Sequence, residues 1–419
     1  MKLFTSARLQ CASCLLSMLL LPSLDALAAP QVLVSERFSA AGAGSRILRY
    51  DANGNFLGVL IDDPVNLQQP YGMALSPDRT KLYVGSQQTN SVVRYDFDGT
   101  TASSPTVVVS SNISVPTSLH FSANGQTLYV SNLGFGFDGD TVSQFDPNGA
   151  YLGALTGGPP TGRTGLALDS AGNLLVGTFS DSSVSQTDLE TVLKYNSGTQ
   201  EFEPFIGPDA ALHGTANLLV HEGDLFVVDS DYLAQTPLAT VRKFDATTGV
   251  KDLSFNAISV NEFPGGLTLA PDGSGFLLSF LELGVANSRI ERYSFDGAYL
   301  GLFANNSGGD PNFGFLEATG LLTIFDSADF DTDGDVDDAD LSTWETAYGV
   351  DNEADADGDD DSDGNDFLAW QQQFTGDLGP LSFPATAVPE PSSSLLLCLG
   401  ALVFGRYRRP FRPRSRNLR

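Results

Sequence analysis

Cysteine is almost missing from this sequence: of 419 residues only Cys11, Cys14 and Cys398 carry a thiol, and all three lie near the ends. The body between them can form neither disulfides nor thiolate metal sites. Histidine is equally scarce, with His120, His213 and His221 alone available for a His-ligated metal or a His base. No H-E-x-x-H or nucleophile-elbow pattern accompanies them. No serine lies in Gly-x-Ser-x-Gly, and no glycine-rich phosphate loop precedes a helix, so classical hydrolase and nucleotide chemistry are unsupported. Basic residues are few, 22 against 51 acidic ones, for a formal charge of −29. Phosphate-backbone binding needs clustered Lys and Arg, so no nucleic acid partner is expected and cations are the natural one.

What is present supports a real core, with 42% apolar and 10% aromatic residues. The charge is polarised: the stretch from Asp326 to Asp366 holds 18 Asp and Glu and no Lys, Arg or His, while seven arginines crowd the last fourteen residues. Such segregation marks separate modules.

Both ends read as addresses. Lys2 and Arg8 precede the apolar run Leu15 to Leu21, and Ala26-Leu27-Ala28 supplies a small-x-small signal peptidase site, so residues 1–28 are expected to be a cleaved signal peptide. Cys14 sits before the apolar run, which excludes a lipoprotein signal. At the other end Val388-Pro389-Glu390-Pro391 leads, after a linker over 377–387, into the apolar segment Leu395 to Phe404 and then an arginine cluster from Arg406 to Arg419. This three-part tail, 388–419, resembles the PEP-CTERM sorting signal of bacteria that use an exosortase, which implies an exosortase-type partner, membrane contact through Leu395 to Phe404 and an address at the cell envelope, cell surface or extracellular matrix. An apolar segment shorter than the roughly 20 residues of a comfortable span, stopped by arginines, suits transient anchoring; a permanent single-pass anchor is the alternative.

Between the ends a segment recurs six times: Ile47-Leu48-Arg49-Tyr50-Asp51, Val92 to Asp96, Val142 to Asp146, Val192 to Asn196, Val241 to Asp245 and Ile290 to Ser294, with aromatic positions 45, 50, 50, 49 and 49 residues apart. A period of that length, with strands throughout, means a propeller or a solenoid. In the first full unit the strands are predicted at Gly72 to Leu75, Leu82 to Gly85, Val92 to Tyr95 and Thr106 to Val109. The chain starts at the second strand of a unit, Val32 to Ser35, and stops after a first strand, Gly320 to Phe325. The two partial units sum to one blade, so a mostly β fold is expected: a six-bladed propeller over 30–325, closed by its own terminal strands. The unit Pro70-Tyr71-Gly72-Met73-Ala74-Leu75-Ser76-Pro77-Asp78 with Leu82-Tyr83-Val84 resembles NHL-type and gluconolactonase-type propellers.

The acidic stretch, 326–376, reads as two twelve-residue calcium loops, which need oxygens at positions 1, 3, 5, 9 and 12, a carbonyl at 7 and glycine at 6. The first supplies Asp329, Asp331, Asp333, Asp335, Asp337 and Asp340, with Gly334 at 6 and Val336 at 8. The second supplies Asp355, Asp357, Asp359, Asp361, Asp363 and Asp366, but Asp360 replaces the glycine and Ser362 the apolar residue, so a weaker second Ca2+ site is expected. Leu341, Trp344 and Tyr348 match Phe367, Trp370 and Phe374, and their spacing puts each trio on one helix face. Two such loop-helix units, with Asp at position 12, resemble a type I dockerin; an Asp-rich solvated linker is the bland alternative. Positions 10 and 11, Asp338-Ala339 and Gly364-Asn365, lack the hydroxyl pair common in cohesin-binding dockerins. Docking to a cohesin-like partner and a calcium-folded stalk both stay open.

For the propeller, the long loops between second and third strands, Asn132 to Asp140, Ser180 to Glu190 and Ser230 to Ala239, mark the candidate binding face. A gluconolactonase-like enzyme would seat a divalent metal in the channel, and Glu36, Asn132, Asn217 and Asp229 can be cast as its ligands or, more plainly, as turn and strand-end residues. His120 is expected to be packed. The favoured reading is an exported binding or scaffold protein, with polysaccharide association a weaker option; the alternative is a metal-dependent lactonase or lyase.

Overall fold

The structure, a computed structural model, describes residues 30–39, 42–134, 141–159, 161–179, 192–206, 212, 214–231, 238–281, 288–305, 318–324, 328, 330, 336–350, 353–354, 356 and 362–374. The N-terminal stretch 1–28, read above as a signal peptide, and the tail 388–419 lie outside the described residues.

Six four-stranded antiparallel sheets follow one another along the chain. Blade 1 takes its inner strand, Ala318–Ile324, from the C-terminal side and its other three, Gln31–Ser39, Gly42–Asp51 and Phe56–Asp62, from the N-terminal side. The inner strands of blades 2 to 6 are Pro70–Leu75, Pro116–Phe121, Gly162–Leu168, Thr215–His221 and Phe263–Leu269. The expected closure is therefore present, with Val32 opposite Thr323 and Val34 opposite Leu321. The four strands expected in the first full unit fall inside the observed Pro70–Leu75, Lys81–Ser86, Ser91–Phe97 and Ala102–Val109.

A blade buries both faces, because each is covered by a neighbour. This is why Val32, Leu33 and Val34 form a continuous apolar run with no exposure at all. Alternation survives in where they point: Val32 and Val34 pack with Leu277 and Ile290 of blade 6, while Leu33 packs with Leu82 and Val93 of blade 2. The described core divides in the same way into clusters at each of the six blade junctions.

Every inner strand also shifts register against its second strand near its start, between Pro70 and Met73, Pro116 and Leu119, Arg163 and Leu166, Thr215 and Asn217, Pro264 and Leu267, and Ala318 and Gly320. A bulge there turns the strand toward its neighbour. The turned residues, Gly72, Ser118, Gly165, Asn217, Gly266 and Gly320, each face the next blade's inner strand. A Cβ on Gly320 would stand 2.0 Å from the Tyr71 carbonyl oxygen. Where a side chain is present it bonds across instead: Asn217 Nδ2 donates to the Gly265 oxygen at 2.5 Å, and Ser118 Oγ accepts from the Leu166 amide at 3.2 Å.

Downstream of the propeller are two helices, α1 (Asp338–Ala347) and α2 (Gly364–Gln373). They share a separate apolar cluster built on Val336, Ala369 and Trp370, with Phe330, Leu341 and Phe367 packed against it.

Candidate functional site

The inner strands enclose a channel cavity of about 200 Å³. All six contribute to its wall, and among the described residues none of those lining it is Asp, Glu, Lys or Arg. Its polar groups are neutral ones such as Thr117, Asn217, Thr268 and Thr319. His120 is among the residues lining the channel, and its ring is buried there. Its Nδ1 lies 2.6 Å from the Phe121 carbonyl oxygen, so Nδ1 carries the proton, and burial holds its pKa below the ordinary histidine value. His221 is stacked on Phe295 at 4.3 Å, and His213 lies outside the described residues.

The four residues cast as metal ligands are placed as follows. Glu36, Asn132 and Asp229 occupy equivalent points of blades 1, 3 and 5, each opposite the residue that precedes the inner-strand bulge: Ala318, Pro116 and Thr215. Each is engaged. Arg46 forks onto Glu36, with Nε and Nη2 at 2.5 and 2.8 Å from its two oxygens. Burial raises the Glu36 carboxyl above its ordinary value although Arg46 pulls the other way. Asp229 accepts from the Gly214 amide at 3.0 Å and pairs with Arg242 at 3.3 Å. Asn132 donates to Thr141 Oγ1 and Ser143 Oγ and accepts from the Ser114 amide. Asn217 stands apart, in the channel wall. Among the described residues no three His, Cys, Asp or Glu converge as a metal cluster. Most of the three long rim loops, 135–140, 180–191 and 232–237, lies outside the described residues.

In the helical pair, the loop ligands Asp329, Asp331, Asp333, Asp335, Asp355, Asp357, Asp359 and Asp361 lie outside the described residues. The last two of each loop are described. Asp337 caps α1, accepting from the Ala339 amide at 2.6 Å, and its own amide donates to Asp340 Oδ2 at 2.7 Å, which completes a capping box. In the second unit the Asp363 amide donates to Asp366 Oδ2 at 2.6 Å. Asp340 and Asp366 are both fully buried. Residues 326–376 contain no Lys, Arg or His, so within the module these carboxylates meet backbone amides, such as that of Ala356 on Asp366 Oδ1 at 2.5 Å, and no cationic side chain. A hard, oxygen-seeking cation suits that donor set, and Asp337, Asp340, Asp363 and Asp366 are the described residues that could hold one.

Two details add to the sequence reading. Tyr348, the C-cap of α1, is half exposed, yet its ring lies 4.9 Å from that of Trp344, so it keeps to the face its spacing gave it. Ser362 is not a simple defect: it is buried, and its Oγ accepts from the Ala354 amide at 3.1 Å.

The tail supplies the clearest comparison. Residues 387–409 match the PEP-CTERM protein-sorting motif. The motif marks a protein for export and membrane-associated envelope sorting and implies recognition by an exosortase-type enzyme. No curated protein matches the chain. Among solved structures, a chain of a nidogen/laminin complex is 11% identical, with a TM-score of 0.50, over 70% of this chain and 98% of its own. A chain described as a 6-phosphogluconolactonase from Bacteroides uniformis is 15% identical, with a TM-score of 0.45, over 68% and 85%. The WD40 β-propeller domain of Doa1 is 13% identical, with a TM-score of 0.43, over 66% and 79%. These identities speak to fold alone.

Proposed function

We propose that the chain is an exported, envelope-sorted binding or scaffold protein, whose propeller offers a recognition platform and whose loop-helix pair is a calcium-dependent module of dockerin type. The observation that carries this reading is the sorting-motif match over 387–409, at the end of a chain whose channel wall has no charged side chain among the described residues. Replacing Pro389, Glu390 and Pro391 together by alanine tests it in an exosortase-bearing host. The altered chain is expected to stay membrane-bound and unprocessed while the natural one moves outward; identical fractionation of the two overturns the sorting reading.

The calcium part has its own test. Both tryptophans of the chain are in the helical pair, so intrinsic tryptophan emission of the whole protein reports on that module. Adding a chelator is expected to shift the emission toward that of exposed indole, because carboxylates crowded together repel until a cation neutralises them. Unchanged emission sinks this part alone. The partner is a cohesin-like domain or a polysaccharide, separated by a pull-down with cohesin domains against a glycan array.

One observation favours the lactonase or lyase alternative, the equivalent placement of Glu36, Asn132 and Asp229 in alternate blades. Arg46 and Arg242 already neutralise the two carboxylates, which supports the binding reading instead. Stoichiometric divalent metal outside the helical pair, together with lactone opening lost in Asp229→Ala, decides for the alternative.

A further inference from the structure

Trp344 and Trp370 exchange hydrogen bonds between the two units. The Trp344 indole of α1 donates to the carbonyl oxygen of Asp363 at 2.8 Å, and the Trp370 indole of α2 donates to that of Asp337 at 2.8 Å. Asp337 and Asp363 hold the same place, position 9, in the two loops, directly before each helix. Their amides donate to the position-12 carboxylates of their own loops, Asp340 and Asp366. The backbone of each position-9 residue is therefore pinned on both sides, by a carboxylate of its own unit and by an indole of the other. Phe367 fills the space between, 4.8 Å from Trp344 and 5.5 Å from Trp370.

We infer that this indole exchange couples the two cation-binding units: a cation held by one unit orders the helix that follows it, and that helix's tryptophan fixes the position-9 backbone of the other unit, Asp363 or Asp337. The inference rests on the calcium reading given above. Trp344 is the positioning residue for the second loop and Trp370 for the first, and neither touches the cation. Binding at the first unit, whose loop sequence is complete, thereby favours binding at the second, which has Asp360 in place of glycine, and the two fill together. Coupling of this kind is reciprocal by linkage.

A double-mutant cycle on the full chain tests it, with calcium affinity read by calorimetry and by the emission of the remaining tryptophan. Asp329→Ala disables the first loop. In the otherwise natural chain this is expected to weaken calcium binding at the second loop roughly three- to tenfold, the worth of about one hydrogen bond. With Trp344→Phe, which keeps a ring and removes the N–H, the same ratio is expected to fall close to one. A tryptophan that merely packs would lower both affinities and leave the ratio unchanged, and that result overturns the inference, as does a ratio of one in the natural chain. The mirror cycle, Asp355→Ala with Trp370→Phe read at the first loop, carries the test independently if Trp344→Phe fails to order the module. A natural chain that binds no calcium at all overturns the calcium reading and the inference together, whereas two uncoupled sites overturn only the inference.

Discussion

Gly320 faces the Tyr71 carbonyl across the junction of blades 1 and 2, with no room for a methyl group. Gly320→Ala is expected to lower stability by about 2–3 kcal/mol, as overpacking does, measured by urea unfolding. Gly364→Ala, where a Cβ meets nothing within 4 Å, is the control and should be neutral or slightly stabilising. Asp169 shows the opposite situation, a buried polar group fully used. Burial would raise its carboxyl, but Lys194 at 2.6 Å and the bonds from Asn173 outweigh that, so it is held below its ordinary 3.8. A carboxyl depressed on folding stabilises fully above its unfolded value, and the benefit is lost as pH falls through the folded one. Asp169→Asn should therefore destabilise at pH 7, with its deficit shrinking below a pH of about 4; a deficit independent of pH refutes this. Neither residue's role could be read from the sequence. The aromatic of each repeat is visible as a period, but the position held by Gly72, Ser118 and Asn217 is defined by the neighbouring blade's backbone. The pairing of Glu36 with Arg46 likewise exists only once a hairpin brings them together.

At the scale of elements the sequence was more legible. Strand runs and helix faces obey short periods that need no tertiary partner, which is why the four strands of the first full unit and both helices lie where spacing placed them. Tyr348 marks the end of its helix face: Gly349, at φ +66°, ends α1 and leaves Tyr348 as a half-exposed cap whose ring still meets that of Trp344. Ser362 has a role that spacing does not reveal. Comparison with Val336 treats position 8 as an apolar slot, yet here the hydroxyl satisfies the buried Ala354 amide. Ser362→Val, which makes the second unit match the first, is expected to destabilise the helical pair by about 1–3 kcal/mol because that N–H loses its acceptor. Thermal melts followed by tryptophan emission check it; a raised midpoint would restore the simpler view.

For the whole molecule, closure was the most legible feature, because the two incomplete units add up to one blade regardless of detail. It also gives a sharp expectation for truncation. A chain ending after Ile324 should unfold cooperatively in urea, while one ending at residue 317 leaves Val32, Val34 and the channel side of blade 1 uncovered and should lose cooperativity and resistance to protease. Equal behaviour of the two would mean the ring does not depend on its borrowed strand.

The same borrowed strand has a mechanical consequence. When such a chain is tethered at its C-terminus, a pull on the propeller enters the ring through Ala318–Ile324, the inner strand that pairs with Gln31–Glu36. The helical pair lies in series between that strand and the tether. Each of its residues drawn out to full extension would add roughly 3.3–3.6 Å to the tether. Calcium, if it holds the pair closed, then sets the force at which the tether lengthens, making the stem a length regulator as much as a connector.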